Sequence, residues 1–390
     1  DTFSSRGLGD VYKRQLSILE AKKENRDFIV EWNDGHISQF NYLWLRDNCP
    51  SEIHPTARER TFNLLTVTEN IKPEKFSIGD DSKLTVKWNE GNHTSEFSAE
   101  WLRENCYTLK NSAPFKSPYN LWDKSLSASL DKIKISCEEI MDSDEGVLKY
   151  LQQLHYYGFS LVENAPVEKN SGASVIERIS HFRETFFETP FEVINIPNPN
   201  NSAYTALGLR NHLDLPYYEI PPGYQFLHCL INDATGGDST AIDGFKVAEY
   251  MKQEFPEFFE VLTEVPVKFV NRDYTQNTTR ILHAPLILLD KDNDFNLIRF
   301  SIAYMSIMDC PPDKMDLFYR AYRKFAELLH DDQFTVKFRL KAGDIFSFNN
   351  LRLLHGRTEF DPNSGHRHLQ GYYMDRDEIK GRLNYLEQNQ

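Results

Sequence analysis

Residues 30–49, VEWNDGHISQFNYLWLRDNC, return as residues 86–106, VKWNEGNHTSEFSAEWLRENC. A chain that repeats itself this closely must build the same local unit twice. In each copy an alternating stretch reaches Trp32 or Trp88 and then meets Asn-Asp-Gly or Asn-Glu-Gly, a composition suited to a tight hairpin turn. Two related β-hairpin units are therefore expected to form one small β-rich N-terminal domain over residues 16–110. The first 15 residues carry no apolar period and read as an unstructured tail or scar. Residues 111–130 are rich in Ser, Pro and Asn and read as a linker. Residues 131–390 remain for a second, larger domain.

In that domain Val147, Leu148, Leu151 and Leu154 mark one helical face, and Gly158 stands where such a helix would end. Further helices are expected over residues 173–187, over 245–262 with an interruption at Pro256, and over 313–329, where Leu317, Ala321, Phe325 and Leu328 keep helical spacing. Residues 333–340 alternate Phe334, Val336, Phe338 and Leu340 with polar residues, as a half-buried strand does. Shorter runs at 159–162, 224–230, 267–270, 297–302, 345–348 and 369–374 resemble it. Many short strands with few helices suggest an antiparallel sandwich or jelly roll, and not a βαβ sheet. A content of 40% hydrophobic and 13% aromatic residues is enough to fill its core.

Composition also excludes partners. A net charge of −14 leaves no basic footprint for nucleic acid. No apolar run approaches the length of a membrane span, and the N-terminus lacks the order of a secretory signal. Five scattered cysteines, an odd number, do not form a disulfide framework, which favours a reducing cytoplasm.

Asn211-His212-Leu213-Asp214 places a His and a carboxylate two residues apart, on one face of an extended segment. His355, in Leu353-Leu354-His355-Gly356-Arg357, follows another expected strand and supplies a third ligand type. Two His and one carboxylate on one face of an ion leave its other face open, as in non-haem iron oxygenases. These three residues alone do not choose between iron, zinc and ordinary roles. Arg367 offers either a bidentate anchor for a dicarboxylate or a surface ion pair. Ser239, in Gly236-Gly237-Asp238-Ser239, offers a second contact or a turn-stabilising hydroxyl. A zinc hydrolase on the same ligands lacks a general base near either motif, and a silent metal-binding interaction protein would not be expected to keep all three ligands with Arg367.

Together these residues resemble the 2-oxoglutarate-dependent dioxygenases of the taurine-dioxygenase-like superfamily, and within it the family of γ-butyrobetaine and trimethyllysine dioxygenases. The carriers are residues 44–50 (WLRDNCP), His212 with Asp214, Pro222-Gly223, His228-Cys229, residues 236–239 (GGDS), Asp243-Gly244-Phe245, Asn350, residues 352–357 (RLLHGR) and Arg367-His368-Leu369. The resemblance implies a double-stranded β-helix (jelly roll) core behind the small N-terminal domain. It implies Fe(II) on His212, Asp214 and His355, and 2-oxoglutarate on the iron with its far carboxylate on Arg367 and Ser239. O2 is the oxidant, succinate and CO2 are released, and a C–H bond is hydroxylated.

The same resemblance implies a small cationic substrate whose trimethylammonium group sits in a cage of Phe187, Phe191, Tyr204 and Tyr373, with Asn201 as a polar contact. The expected reaction is γ-butyrobetaine to L-carnitine, the step of carnitine biosynthesis, or the like reaction on trimethyllysine or another amine; related enzymes suggest a homodimer. Two positions depart from the butyrobetaine pattern: Leu215 stands where a Tyr is expected, and residues 298–304 (IRFSIAY) lack an Asn-rich pattern. Family members often hold a structural zinc with three Cys and one His. The matching positions here are Cys49, Ser51, His54 and His93, three good ligands where such sites use four, so zinc is not expected.

Overall fold

Each copy of the repeat folds into a three-stranded antiparallel sheet followed by a short helix. The first copy is β1 (Ile18–Glu24), β2 (Asp27–Trp32), β3 (Ile37–Asn41) and α1 (Tyr42–Asp47); the second is β4 (Pro73–Ile78), β5 (Leu84–Trp88), β6 (Thr94–Phe97) and α2 (Ala99–Glu104). Alternation along β2 and β3 buries Phe28, Val30, Trp32 and Phe40, and along β5 and β6 it buries Leu84, Val86, Trp88 and Phe97. All eight share one core. The hairpin turns use Gly35 (φ 85°) and Gly91 (φ 70°), left-handed positions that Gly occupies without a Cβ clash.

The repeat extends to single hydrogen bonds. Trp32 Nε1 donates to Ser38 Oγ and Trp88 Nε1 to Ser95 Oγ, both at 2.8 Å. Asn48 Nδ2 donates to the carbonyl of Trp44 and Asn105 Nδ2 to that of Trp101, again both at 2.8 Å. Although the serine stands six residues on in one copy and seven in the other, the two buried indoles are satisfied in the same way.

The structure, a computed structural model, describes residues 16–110, 118–195, 205–274 and 276–389. The chain divides into two units, residues 1–116 and 117–390. The two large sheets of the second unit comprise ten strands: β7 (Lys134–Ser136), β8 (Phe159–Glu163), β9 (Phe191–Ile194), β10 (Leu209–His212), β11 (Tyr224–Asn232), β12 (Ser239–Asp243), β13 (Thr335–Phe338), β14 (Ile345–Asn349), β15 (Leu353–Arg357) and β16 (Arg367–Met374). One sheet has the order β7-β8-β14-β11-β16-β9 and the other β10-β15-β12-β13. Among the described residues only β7 and β8 pair in parallel. Phe159, Phe346, Phe348 and Leu369 from the first sheet share a core with Ala241, Val336 and Leu353 from the second, so the sheets pack face to face.

Its helices include α3 (Asp144–Tyr156), α4 (Gly172–Glu177), α5 (Gly244–Glu254), α6 (Pro256–Glu264), α7 (Met315–Leu328) and α8 (Arg376–Gln388). Pro256 opens α6, as expected of a residue that tolerates the first helical turn. In α7 Phe318, Ala321, Phe325 and Leu328 are buried. The expected strands at 267–270 and 345–348 also form, as parts of Val267–Asp273 and β14. The unit mixes strands and helices more evenly than the sequence pattern suggests. Among the described residues no helix is long and apolar enough to cross a membrane.

Three expectations need correction. Residues 118–130 are not a free linker: Trp122 and Leu126 are buried, the Trp122 amide donates to Asp243 Oδ2 (3.1 Å), and its indole donates to the Tyr157 carbonyl (2.7 Å). The helix expected over 173–187 stops at Glu177. Beyond it the Arg183 amide bonds the Tyr373 carbonyl (2.8 Å), and its guanidinium reaches Asp375 (2.6 Å) and the Ile220 carbonyl (2.7 Å), so tertiary bonds override helical period. The strand expected over 297–302 ends at Ile298, because buried Arg299 turns its guanidinium onto the carbonyls of Pro216, Tyr218 and Glu219.

Candidate metal centre

β10 lies beside β15 with His212 opposite His355. Leu213 then bonds the Phe300 carbonyl through its amide (2.8 Å), which fixes the chain just beyond the strand end and leaves Asp214 beside the two imidazoles. Ligand atoms of His212, Asp214 and His355 all lie within 4.8 Å of one another. Nε2 of His212 is 3.2 Å from Asp214 Oδ1, and Nε2 of His355 is 4.0 Å from the same oxygen. Nδ1 of His212 faces the Arg210 carbonyl at 2.8 Å, which orients Nε2 inward.

Electrostatics put Asp214 and His355 in ligand form, while Asp214 favours a proton on His212 that a metal would displace. Burial drives the Asp214 carboxyl upward, but His212, His355 and the Tyr373 hydroxyl outweigh it and hold the group well below the usual carboxylate range. Burial lowers His212 as well, and Asp214 more than reverses that. Burial, with the neighbouring His212, pushes His355 down to about 3, so its imidazole is neutral at physiological pH. One carboxylate and two imidazoles with converging donor atoms fit a divalent transition ion.

Asn350, which carries the resemblance, and Tyr373, an expected cage residue, hold this arrangement from behind. Asn350, fully buried, accepts the Asp214 amide on Oδ1 (3.0 Å), and its Nδ2 donates to the carbonyls of Asp214 (3.1 Å) and Pro222 (3.0 Å). Tyr373 donates its hydroxyl to Asp214 Oδ2 at 2.7 Å, which leaves Oδ1 for the imidazoles. Asn350→Ala should weaken metal binding about ten- to a hundredfold, the range for outer-shell partners, while the three ligand side chains remain; Fe(II) titration of the purified variant checks this.

The triad stands between two cavities. One, of about 380 Å³, is lined by Phe187, Phe191, Leu215, Tyr304 and Tyr373 among others. The Phe187 and Phe191 centroids are 5.7 Å apart, and those of Phe191 and Tyr373 5.0 Å apart. Phe191 sits opposite Gly371 on β16, and a Cβ there would lie 2.0 Å from the Phe191 ring, so the bare backbone admits the ring. The other cavity contains Gln225, Ser239, His355 and Arg367. Arg367 is lowered by burial, and its Nε is buried with no hydrogen-bond partner among the described residues, a vacancy of the kind a ligand carboxylate fills.

Thus His212, Asp214, His355, Arg367, Ser239, Phe187, Phe191 and Tyr373 converge. Asn201 and Tyr204 lie outside the described residues. In the N-terminal unit Cys49 Sγ is 3.3 Å from His93 Nε2 and 3.2 Å from Ser51 Oγ, but His54 Nδ1 faces the amides of Thr56 (3.3 Å) and Ala57 (3.1 Å) in its own turn. Sequence reasoning gave no part to Tyr373 as a partner of Asp214, nor to Asn350 beyond its place in the motif.

Comparisons with known proteins bear on both units. Residues 122–373 match the model of the taurine catabolism dioxygenase TauD, TfdA family, and residues 19–103 match that of the γ-butyrobetaine hydroxylase-like N-terminal domain. The chain is 37% identical to γ-butyrobetaine dioxygenase of Pseudomonas sp. (strain AK-1), covering 92% of this chain and 93% of that one. It is 31% identical to γ-butyrobetaine dioxygenase of Homo sapiens, over 92% and 94% of the two chains. It is 30% identical to mitochondrial trimethyllysine dioxygenase of Homo sapiens, over 93% and 86%.

Proposed function

The chain belongs to the TauD, TfdA dioxygenase family, and on that footing we propose that it hydroxylates a small trimethylammonium substrate, γ-butyrobetaine to L-carnitine, with release of succinate and CO2. It is an Fe(II)/2-oxoglutarate-dependent dioxygenase. We assign its two facing sheets to a double-stranded β-helix, supported by their shared core and by a triad placed where one sheet's β10 and β15 meet.

The observation that carries the reading is the division of space around the triad. His212, Asp214 and His355 would hold Fe(II), and bound iron with 2-oxoglutarate supplies the oxidising power for attack on a C–H bond. Arg367 and Ser239 take the far carboxylate of 2-oxoglutarate in one cavity. Phe187, Phe191 and Tyr373 present ring faces to a quaternary ammonium in the other, a mode suited to a cation that has no N–H to donate. The apolar walls exclude water from the reacting centre and fix the substrate's target carbon near it. The acidic chain as a whole does not repel a cation. Five buried free cysteines agree with a reducing cytoplasm, and likeness to related enzymes favours a homodimer.

Succinate formation should rise severalfold when γ-butyrobetaine is added to the enzyme with Fe(II), 2-oxoglutarate and O2. Stimulation by trimethyllysine alone would move the assignment to that substrate, and no stimulation by any quaternary amine would end it. Phe191→Ala should raise KM for the amine about tenfold, the worth of one desolvated cation–π face, in steady-state succinate assays.

A further inference from the structure

We propose that Arg210 reads the negatively charged end of the substrate, and so selects a zwitterion with a bare carboxylate over one that ends in an amino acid. The proposal rests on the quaternary-amine reading above.

A register shift between Leu209 and His212 breaks the regular alternation of β10, and Arg210, which falls within it, lines the ring-lined cavity that His212 also borders. Asn211 between them is buried and committed to its own bonds: its Nδ2 donates to the Leu329 carbonyl (3.1 Å) and its Oδ1 accepts from Thr240 Oγ1 (2.7 Å). Arg210 is exposed and also borders a neighbouring groove with Tyr322 and Glu327.

Charge on that wall is sparse. Among its described residues Arg210 is the one cation and Asp214 the one carboxylate. Asp214 is engaged by His212 and by the Tyr373 hydroxyl. Glu327, the acid in the neighbouring groove that Arg210 also lines, is paired with Arg323 at 3.0 Å. Leu209, Leu215, Ile302 and Ala303 fill much of the remaining surface.

A ligand whose ammonium lies against the rings therefore finds, at its other end, a guanidinium and no acid. A carboxylate there gains a charge-assisted, potentially bidentate contact. An α-ammonium beside that carboxylate brings a like charge toward Arg210 with nothing to accept it, which is discrimination by repulsion. Leu215 and Ile302, both apolar, offer the anion no contact on this wall.

The test compares γ-butyrobetaine with its neutral carboxamide, 4-trimethylammoniobutanamide, as substrates of the wild type, Arg210→Gln and Arg210→Lys. The wild type should favour the acid about ten- to a hundredfold in kcat/KM, as expected of one hydrogen-bonded charge pair. Arg210→Gln should bring the ratio within about threefold by raising KM for the acid, and Arg210→Lys should recover part of it. Damage to the fold lowers both substrates alike and leaves the ratio. A wild type with no preference for the acid, or an Arg210→Gln enzyme with the preference intact, overturns the proposal while the quaternary-amine reading stands. A wild type stimulated by no quaternary amine overturns both.

Discussion

Asp214→Ala is expected to abolish 2-oxoglutarate turnover and to weaken Fe(II) binding by roughly three orders of magnitude, since outer-shell partners alone are worth about ten- to a hundredfold and a ligand exceeds them. The reason lies in charge. Asp214 is the one anion of the set, held below the ordinary carboxylate range by the imidazoles beside it, against the burial that opposes ionisation. Without it, two neutral donors on adjacent strands face a divalent ion. Asp214→Asn keeps the size of the side chain and removes the charge, so a similar loss there assigns the effect to charge and not to a gap. Metal content after desalting from Fe(II), with the circular dichroism spectrum as a check on folding, decides the matter. A variant that stays folded, retains iron and makes succinate would remove Asp214 from the centre. His212→Ala and His355→Ala should follow the same pattern.

The second large effect is on stability. Asp243 and Arg352 are both fully buried and form a two-pronged ion pair, Nε to Oδ1 at 3.0 Å and Nη2 to Oδ2 at 2.7 Å. Arg352 also donates to the carbonyls of Tyr156 (3.0 Å) and Asn120 (2.9 Å), and Asp243 also accepts from the amides of Trp122 (3.1 Å) and Phe245 (3.1 Å). Asp243→Ala leaves a guanidinium without a counter-charge in a dry interior. The expected cost is about 3 to 5 kcal/mol, or a fall in Tm of roughly 10 °C for a unit of this size. Replacing both partners by apolar residues, as in Asp243→Leu with Arg352→Met, should cost less than Asp243→Ala alone, because no charge is stranded. Thermal unfolding of the full chain measures both. A drop below about 2 °C for Asp243→Ala would mean that water reaches Arg352.

This pair has a bearing on the metal centre. Arg352 immediately precedes β15, the strand that carries His355, and Asp243 ends β12, its neighbour. Anchoring the two at one end sets the register in which Ala241 faces His355. Two residues of the family motif thus act through strand position and not through contact with a ligand.

Much of this was legible along the chain. The repeat announced two hairpins because a turn is local: Gly35 and Gly91 with alternating neighbours are enough to specify it. His212 and Asp214 could be paired from spacing alone, since i and i+2 share a face. The apolar period of α3 survived into the fold for the same reason, each residue answering to neighbours within a turn or two. What the chain alone could not settle depends on distant partners. Residues 178–187 continue a helical pattern, yet Arg183 finds Asp375 and the Tyr373 carbonyl, and those bonds hold the backbone outside a helix. Tyr373 reads in sequence as one more buried ring; only a contact across 159 residues makes it the partner of Asp214. Asn350 meets Asp214 across 136 residues and Arg352 meets Asp243 across 109. Periodicity says which face of an element is buried but not against what, and ion pairs, clamps and cavities are properties of what faces what. That Arg210 stands two residues from His212 was therefore written in the sequence, whereas the register shift of β10 and the ring-lined, nearly charge-free cavity that both residues border were decided by tertiary packing alone.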